Sequence, residues 1–162
     1  MTMKRKIEIF EILESHCADE VKIEFDPSKY EMVERSNGYY VVKKKPNYPQ
    51  TYEECCAILG LHQLEIPTAH GYKAIEIEAF QQLIICRDAY WKIAGEELGL
   101  GEPWKPNWKN GLSKFCIATC EDQILRCNYA SANFILAFPT EEMRDAFYEN
   151  FKELIEQCEM FL

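Results

Sequence analysis

A single α+β domain is the fold class this sequence predicts. The expectation is an antiparallel sheet packed by a central helix at about 75–98 and a C-terminal helix at about 140–161, with an N-terminal β-hairpin. Three observations carry it. The longest helical pattern runs from Ile75 to Leu98. There Phe80, Leu83, Ile84, Trp91, Ala94 and Leu98 form one broad stripe, widened by Ile77, Ile85, Tyr90 and Ile93. A second apolar face, Met143, Phe147, Phe151, Leu154, Cys158 and Phe161, recurs at steps of three or four. Between the two lie short runs read as strands, 115–119, 124–128 and 133–138.

Taken in chain order, residues 4–16 read two ways. Ile7, Phe10 and Leu13 recur at helical steps, whereas Ile7 and Ile9 alternate about Glu8 as in a strand. Val21, Ile23 and Phe25 alternate with Lys22 and Glu24 and predict a half-buried strand ended by Asp26-Pro27. Glu31 to Arg35 and Tyr39 to Lys44 flank Asn37-Gly38, a pair that tolerates the positive φ angles of a type I′ turn. Pro46 and Pro49 bracket a short extended linker, and Thr51 opens a helix with a capping box to Glu54 that Gly60 closes. Residues 61–71 lack a period and contain Pro67 and Gly71, which predicts a loop. Gly99 and Gly101 end the central helix, and Pro103 and Pro106 keep the segment 102–111 out of a helix. Cys120 to Gln123 predicts a tight hairpin turn between the first two strands of the final third. Pro139 ends the third strand, and Thr140 caps the last helix with Glu141 and Glu142 at the positive end of its dipole.

Composition narrows the class. The chain has 162 residues, 48% of them hydrophobic, which suits a soluble globular protein with a core of its own. Residues 1–50 are the hairpin-containing part, in which acidic and basic side chains balance. The whole net charge of −9 falls in the acidic helical and sheet part, 51–162. That balance argues against a protein that grips phosphate backbones. No apolar run, Leu83 to Cys86 among them, is long enough to cross a bilayer, and glutamates at 8, 11 and 14 break any secretory core. A cytoplasmic protein without a membrane partner is therefore expected. In a reducing cytosol the eight cysteines, Cys17, Cys55, Cys56, Cys86, Cys116, Cys120, Cys127 and Cys158, read as buried thiols. No C-x-x-C occurs, and adjacent Cys55 and Cys56 on a helix point apart, so with His62 and His70 they make a poor metal set. His16 beside Cys17 is a sequence neighbour only. Phosphate-loop, dinucleotide, zinc-protease, nucleophile-elbow and calcium-loop patterns are all missing, so no catalytic residue, metal or cofactor is assigned.

Four features could still carry function. Arg87-Asp88 interrupts the apolar central helix. It reads either as an anion-binding charge, with His62 or His70 nearby, or as an Asp88–Lys92 pair beside an Arg87 that stacks on Trp91 or ties down a loop carbonyl. Trp104 and Trp108, set between prolines, read as a rigid aromatic platform or as a lid over the helix end. Lys43-Lys44-Lys45 with nearby tyrosines could touch single-stranded nucleic acid, or guard a strand edge. The face bearing Glu149, Glu153 and Glu156 could mimic nucleic acid, or be merely solvated.

Three blocks are distinctive in wording: Pro-Gln-Thr-Tyr-Glu-Glu-Cys-Cys at 49–56, Cys-Arg-Asp-Ala-Tyr-Trp-Lys-Ile-Ala-Gly-Glu-Glu-Leu-Gly-Leu-Gly-Glu-Pro-Trp-Lys-Pro at 86–106, and Phe-Pro-Thr-Glu-Glu-Met-Arg-Asp-Ala-Phe-Tyr-Glu-Asn-Phe-Lys-Glu-Leu-Ile-Glu at 138–156. Together they resemble a family of small proteins of gut Bacteroidales and of their phages and prophages, to which no activity is assigned. The resemblance implies a phage-linked origin in an anaerobic, reducing host cytosol, with association with a virion as a further option.

The leading expectation is a non-enzymatic protein-binding or assembly protein, engaging a phage or host protein through the tryptophan loop or the acidic last helix. Hot spots favour Trp, Tyr and Arg, which singles out Trp104, Trp108, Tyr90 and Arg87. The alternatives are a small-molecule sequestering or hydrolytic protein with an anion pocket at Arg87, and an acidic nucleic-acid mimic using Glu149, Glu153 and Glu156.

Overall fold

The computed structural model describes residues 30–36, 39–44, 46–61, 70–121, 123–131 and 133–162, with side chains left out over 31–44. The readings of 4–16, 21–25 and 62–69, the Asn37-Gly38 turn and the lysine run lie outside that description. The chain divides into two compact units, Met1–Asn47 and Tyr48–Leu162. In the first, strands β1 (Tyr30–Ser36) and β2 (Tyr39–Lys44) pair antiparallel, with a shift of register between Met32 and Glu34.

The second unit is α+β. It begins at Tyr48 rather than after residue 50, because Tyr48 and Pro49 belong to its core. The Tyr48 ring stacks on Tyr90 at 5.2 Å, and the Pro49 carbonyl accepts from Tyr90 Oη at 2.9 Å and Asn150 Nδ2 at 3.2 Å. Helix α1 (Tyr52–Leu59) starts on the expected box: Thr51 Oγ1 accepts from the Glu54 amide, and the Glu54 carboxylate accepts from the Thr51 amide. Gly60 ends it at φ 69°, a left-handed position that glycine takes without a Cβ penalty.

Helix α2 (Ala74–Glu97) is the central element, and α1 packs along it. Its buried side differs from the expected stripe. Leu83, Tyr90 and Ala94 are inside, but the rest of the buried row is Ala79, Cys86, Ala89 and Gly95. Phe80, Ile84, Trp91 and Leu98 are only half-buried, and Ile77 is exposed. The physical reason is close approach: small residues face the tightly packed elements, and the bulky ones flank them. Gly95 is the extreme case, since an added Cβ would stand 2.0 Å from the Glu102 carbonyl oxygen. The chain there turns back over the helix end, with Leu100 N donating to Gly95 O at 2.9 Å and Trp104 N to Trp91 O at 2.8 Å.

Strands β3 (Lys114–Cys120), β4 (Gln123–Tyr129) and β5 (Leu136–Phe138) form an antiparallel sheet in the order β4-β3-β5. The third strand is shorter than the expected 133–138, because Phe134 turns aside to pack on Tyr129. Phe115 and Ile117 share one face with Phe138 and Leu136, their partners on β5. Ile117, Leu136 and Phe138 join Leu83 and Tyr90 in the core.

The last helix is also corrected. In place of one helix over 140–161 there are α3 (Glu141–Asn150), α4 (Lys152–Gln157) and a 3₁₀ turn (Glu159–Phe161), offset at Phe151 and Cys158. The buried positions Met143, Phe147, Phe151 and Ile155 step by four, which drifts about 40° per step around a regular helix. The departure at Phe151 (φ −123°, ψ 25°) returns the row to the core, while Ile155 N still donates to Phe151 O at 3.0 Å. Thr140 caps α3 as expected, its Oγ1 accepting from Met143 N at 3.2 Å.

Helix propensity alone makes Gly95→Ala stabilising by about 1 kcal/mol. Packing reverses the sign, because overfilled cores cost about 1–3 kcal/mol. A lower urea midpoint for Gly95→Ala is therefore expected; a raised midpoint would show that the 98–104 turn moves aside freely.

Candidate functional site

The prolines and asparagines of 103–113 make a turn-rich arm without regular structure. Lys109 N donates to Asn107 Oδ1 at 2.9 Å and Leu112 N to Asn110 Oδ1 at 3.0 Å, side-chain turns that hold the backbone without a helix. The arm is anchored by Lys114 at the start of β3, whose side chain is almost wholly buried. Its ammonium donates to Asn110 Oδ1 at 2.7 Å and Leu112 O at 2.5 Å and lies 5.4 Å from the Trp108 ring centre. A buried ammonium is tolerable because carbonyl oxygens and a ring face replace its water.

The two tryptophans, set together by the sequence reading, have different roles. Trp104 is half-buried against the core, edge-to-face with Trp91 at 6.0 Å, and closes the end of α2. Trp108 stands outside the core cluster. It meets Phe134 at 6.4 Å, and Phe134 meets Tyr129 at 4.8 Å. Tyr129 is 46% exposed and Trp108 and Phe134 are half-buried, so these three rings present a partly open aromatic patch beside Lys114, with Leu112, 63% exposed, on the same arm. Leu125, four residues before Tyr129 on β4 and on the same sheet face, is also exposed.

Tyr90 and Arg87 do not join this patch. Tyr90 is fully buried, which removes it as a surface contact. Burial pushes its hydroxyl well above the usual phenol range, so it stays protonated and donates to Pro49. Arg87 is committed inside the fold. Its Nε and Nη2 donate to Asp88 Oδ1 at 2.9 and 2.6 Å, its Nη1 reaches Ile135 O at 3.4 Å, and the guanidinium lies 4.1 Å from the Trp91 ring centre. The expected stacking and carbonyl contact are both present. The expected Asp88–Lys92 pair is not among the contacts, because Lys92 Nζ instead donates to Ile58 O at 2.5 Å and ties α2 to α1. His70 is exposed, and His62 lies outside the described residues.

The acidic residues are divided between two helices, Glu149 on α3 and Glu153 and Glu156 on α4. All three are exposed. Glu149 lies 3.9 Å from Arg126, and Glu156 lies 3.8 Å from Lys152. Arg126 also meets Asp145 at 3.4 Å and lies over the Tyr148 ring. Two of the three carboxylates are thus balanced within the fold. Nearby, Arg144 is buried among Glu141, Asp145 and Asn128, joining α3 to β4.

Among the described residues most thiols are packing groups, but the expectation of burial fails for Cys120 and holds only partly for Cys127. Cys55, Cys56, Cys86, Cys116 and Cys158 are buried, Cys127 is half-buried and Cys120 is exposed. Burial pushes Cys116 and Cys158 up to about 11, and the Cys55 thiol together with burial holds Cys86 far above the ordinary range. A thiol held protonated is a poor nucleophile.

Lys114, Tyr129, Phe134 and Leu112 were not legible as site residues. The contact between Trp108 and Phe134 is made by folding, and no spacing in the sequence encodes it.

Three outcomes follow. Arg87→Ala is expected to cost about 1–3 kcal/mol in a denaturant titration, since charge-assisted hydrogen bonds are lost; unchanged stability would restore Arg87 as a candidate ligand. With a thiol reagent under native conditions, Cys120 should label first and Cys86, Cys116 and Cys158 only on unfolding. For Cys116 and Cys158 burial raises the folded pKa above the ordinary thiol value of 9.0, so their stabilisation is complete below about pH 9 and lost as pH rises through about 11. Alkaline rather than acid destabilisation is the sign to look for in these groups. Among the described residues no helix is long and apolar enough to cross a membrane. Comparison of the chain with family profiles, curated proteins and solved structures finds no match.

Proposed function

We propose that this protein is a non-enzymatic protein-binding or assembly domain of phage or prophage origin, acting in the host cytosol or in association with a virion. The observation that carries the binding part is the patch of Trp108, Phe134, Tyr129 and Leu112. Large rings stand partly open to solvent on an arm made rigid by Asx turns and by the buried Lys114. Stiff aromatic groups lose little entropy on contact and dominate protein interfaces. The origin rests on the resemblance of the three sequence blocks.

Trp104 and Trp108 separate binding from stability. Trp108→Ala should leave the melting temperature within a few degrees of the parent while weakening capture of a partner by about tenfold or more, the loss expected of an interface hot spot. Trp104→Ala should do the reverse, lowering the melting temperature by opening the end of α2. The assay is affinity capture from the host or an infected lysate, with the partner identified by mass spectrometry and its affinity then measured on purified material. A partner whose affinity is the same for the parent and Trp108→Ala would sink the assignment of this patch.

A further inference from the structure

The two edges of the three-stranded sheet are treated differently. β5 is only three residues long and ends at Pro139, and α2 reaches over it. Trp91 Nε1 donates to Ala137 O at 2.7 Å and Arg87 Nη1 approaches Ile135 O at 3.4 Å, so helix side chains occupy carbonyls beside that edge. β4 is seven residues long and runs in unbroken register from Gln123, opposite Cys120, to Tyr129, opposite Lys114. It contains no proline, glycine or bulge, and Arg126 is its one charged residue, so few of the devices that normally blunt an edge are present. Five of its residues are exposed, Gln123, Leu125, Arg126, Asn128 and Tyr129, and they point to both faces. Among the described residues no strand pairs with its outer side.

Resting on the protein-binding reading above, we infer that β4 receives an extended segment of a partner protein as a fourth strand. That segment alternates apolar side chains with lysine or arginine. The alternation follows from the sheet. Leu125, Cys127 and Tyr129 line one face, where an added strand places apolar side chains next to exposed Leu125 and Tyr129 and toward Trp108. The other face looks toward α3, where Arg126 and Arg144 stand among three carboxylates, Glu141, Asp145 and Glu149. Glu121 at the β3–β4 turn adds further negative charge. A basic segment is favoured there. A second copy is disfavoured, because antiparallel self-pairing of β4 would bring two acidic α3 faces together. Backbone pairing supplies affinity and the alternation supplies selectivity.

The test uses the full chain and a labelled peptide of alternating lysine and valine, about eight residues long, within the normal range for a strand. Controls carry the same residues in two blocks, or glutamate in place of lysine. Anisotropy titration should show binding by the alternating basic peptide, weakening with salt, and at least about tenfold poorer binding by both controls. Amide exchange of Gln123–Tyr129 should slow on binding. Leu125→Lys, at an exposed position, should weaken binding by about tenfold, with Tyr129→Lys as a second variant should the first lower the melting temperature. The inference is overturned by no detectable binding, by equal binding of the glutamate peptide, by unprotected β4 amides, or by a peptide-free dimer already protected at β4. A partner lost in Trp108→Ala but indifferent to Leu125→Lys would leave the aromatic patch standing and remove strand addition alone.

Discussion

The fold of the second unit turns on one buried phenol. Tyr90 sits midway along α2 with no exposed surface, and its hydroxyl bridges two distant segments. It donates to Pro49 O, where the chain enters the unit, and lies 3.0 Å from Asn150 Nδ2 at the end of α3. Around it stand Tyr48 at 5.2 Å, Phe147 at 5.0 Å, Phe151 at 6.0 Å and Phe138 at 6.2 Å. Entry segment, central helix, sheet and last helices thus meet on one side chain. A buried hydroxyl left unpaired costs about 1–3 kcal/mol, so the polar geometry constrains where each of those elements can lie. The aromatic packing gives the larger, non-directional share.

From that hub the consequences run outward along α2. Beside Tyr90 on the helix, Arg87, one turn before it, and Trp91, the next residue, place donors on carbonyls beside the β5 edge, while Gly95 admits the chain that brings Trp104 back over the helix end. Closing the helix with Trp104 leaves the following arm outside the core, and Lys114 then fixes it from the sheet side. The open position of Trp108 is thus a result of where the core ends.

How much of this was legible depended on range. Local chemistry read well: the Thr51–Glu54 box, the left-handed Gly60 and the Thr140 cap are each decided within four residues, and each is present. The sheet and the two main helical regions were legible from periodicity. What failed was anything decided by packing partners. A large apolar residue looks like core in a sequence, yet on α2 the tightest contacts fall to Ala79, Cys86, Ala89 and Gly95, whose small size carries no periodic signal. The break at Phe151 was hidden because the apolar spacing continues through it. Tyr90 was misjudged because the sequence shows that a tyrosine can bind, not whether it faces water. Lys114 gave no sign that it is buried, since its partners at 110 and 112 reach it only once the arm has folded.

The unequal edges of the sheet bear on what kind of contact this domain makes. A strand added to β4 gains a few backbone hydrogen bonds, each with a net value of about 1 kcal/mol in water, which alone supports only weak association. Ordering a free peptide costs more than that in backbone entropy. The deficit must be met by side chains, and Leu125, Tyr129 and the Trp108 patch are the apolar groups placed within reach of such a strand. The carboxylates of α3 then bias which segments approach, since exposed charges alter encounter and selection more than depth of binding. An edge and a patch that are each insufficient alone, but lie side by side on one rigid sheet, suit a partner recognised by both its backbone and its alternation.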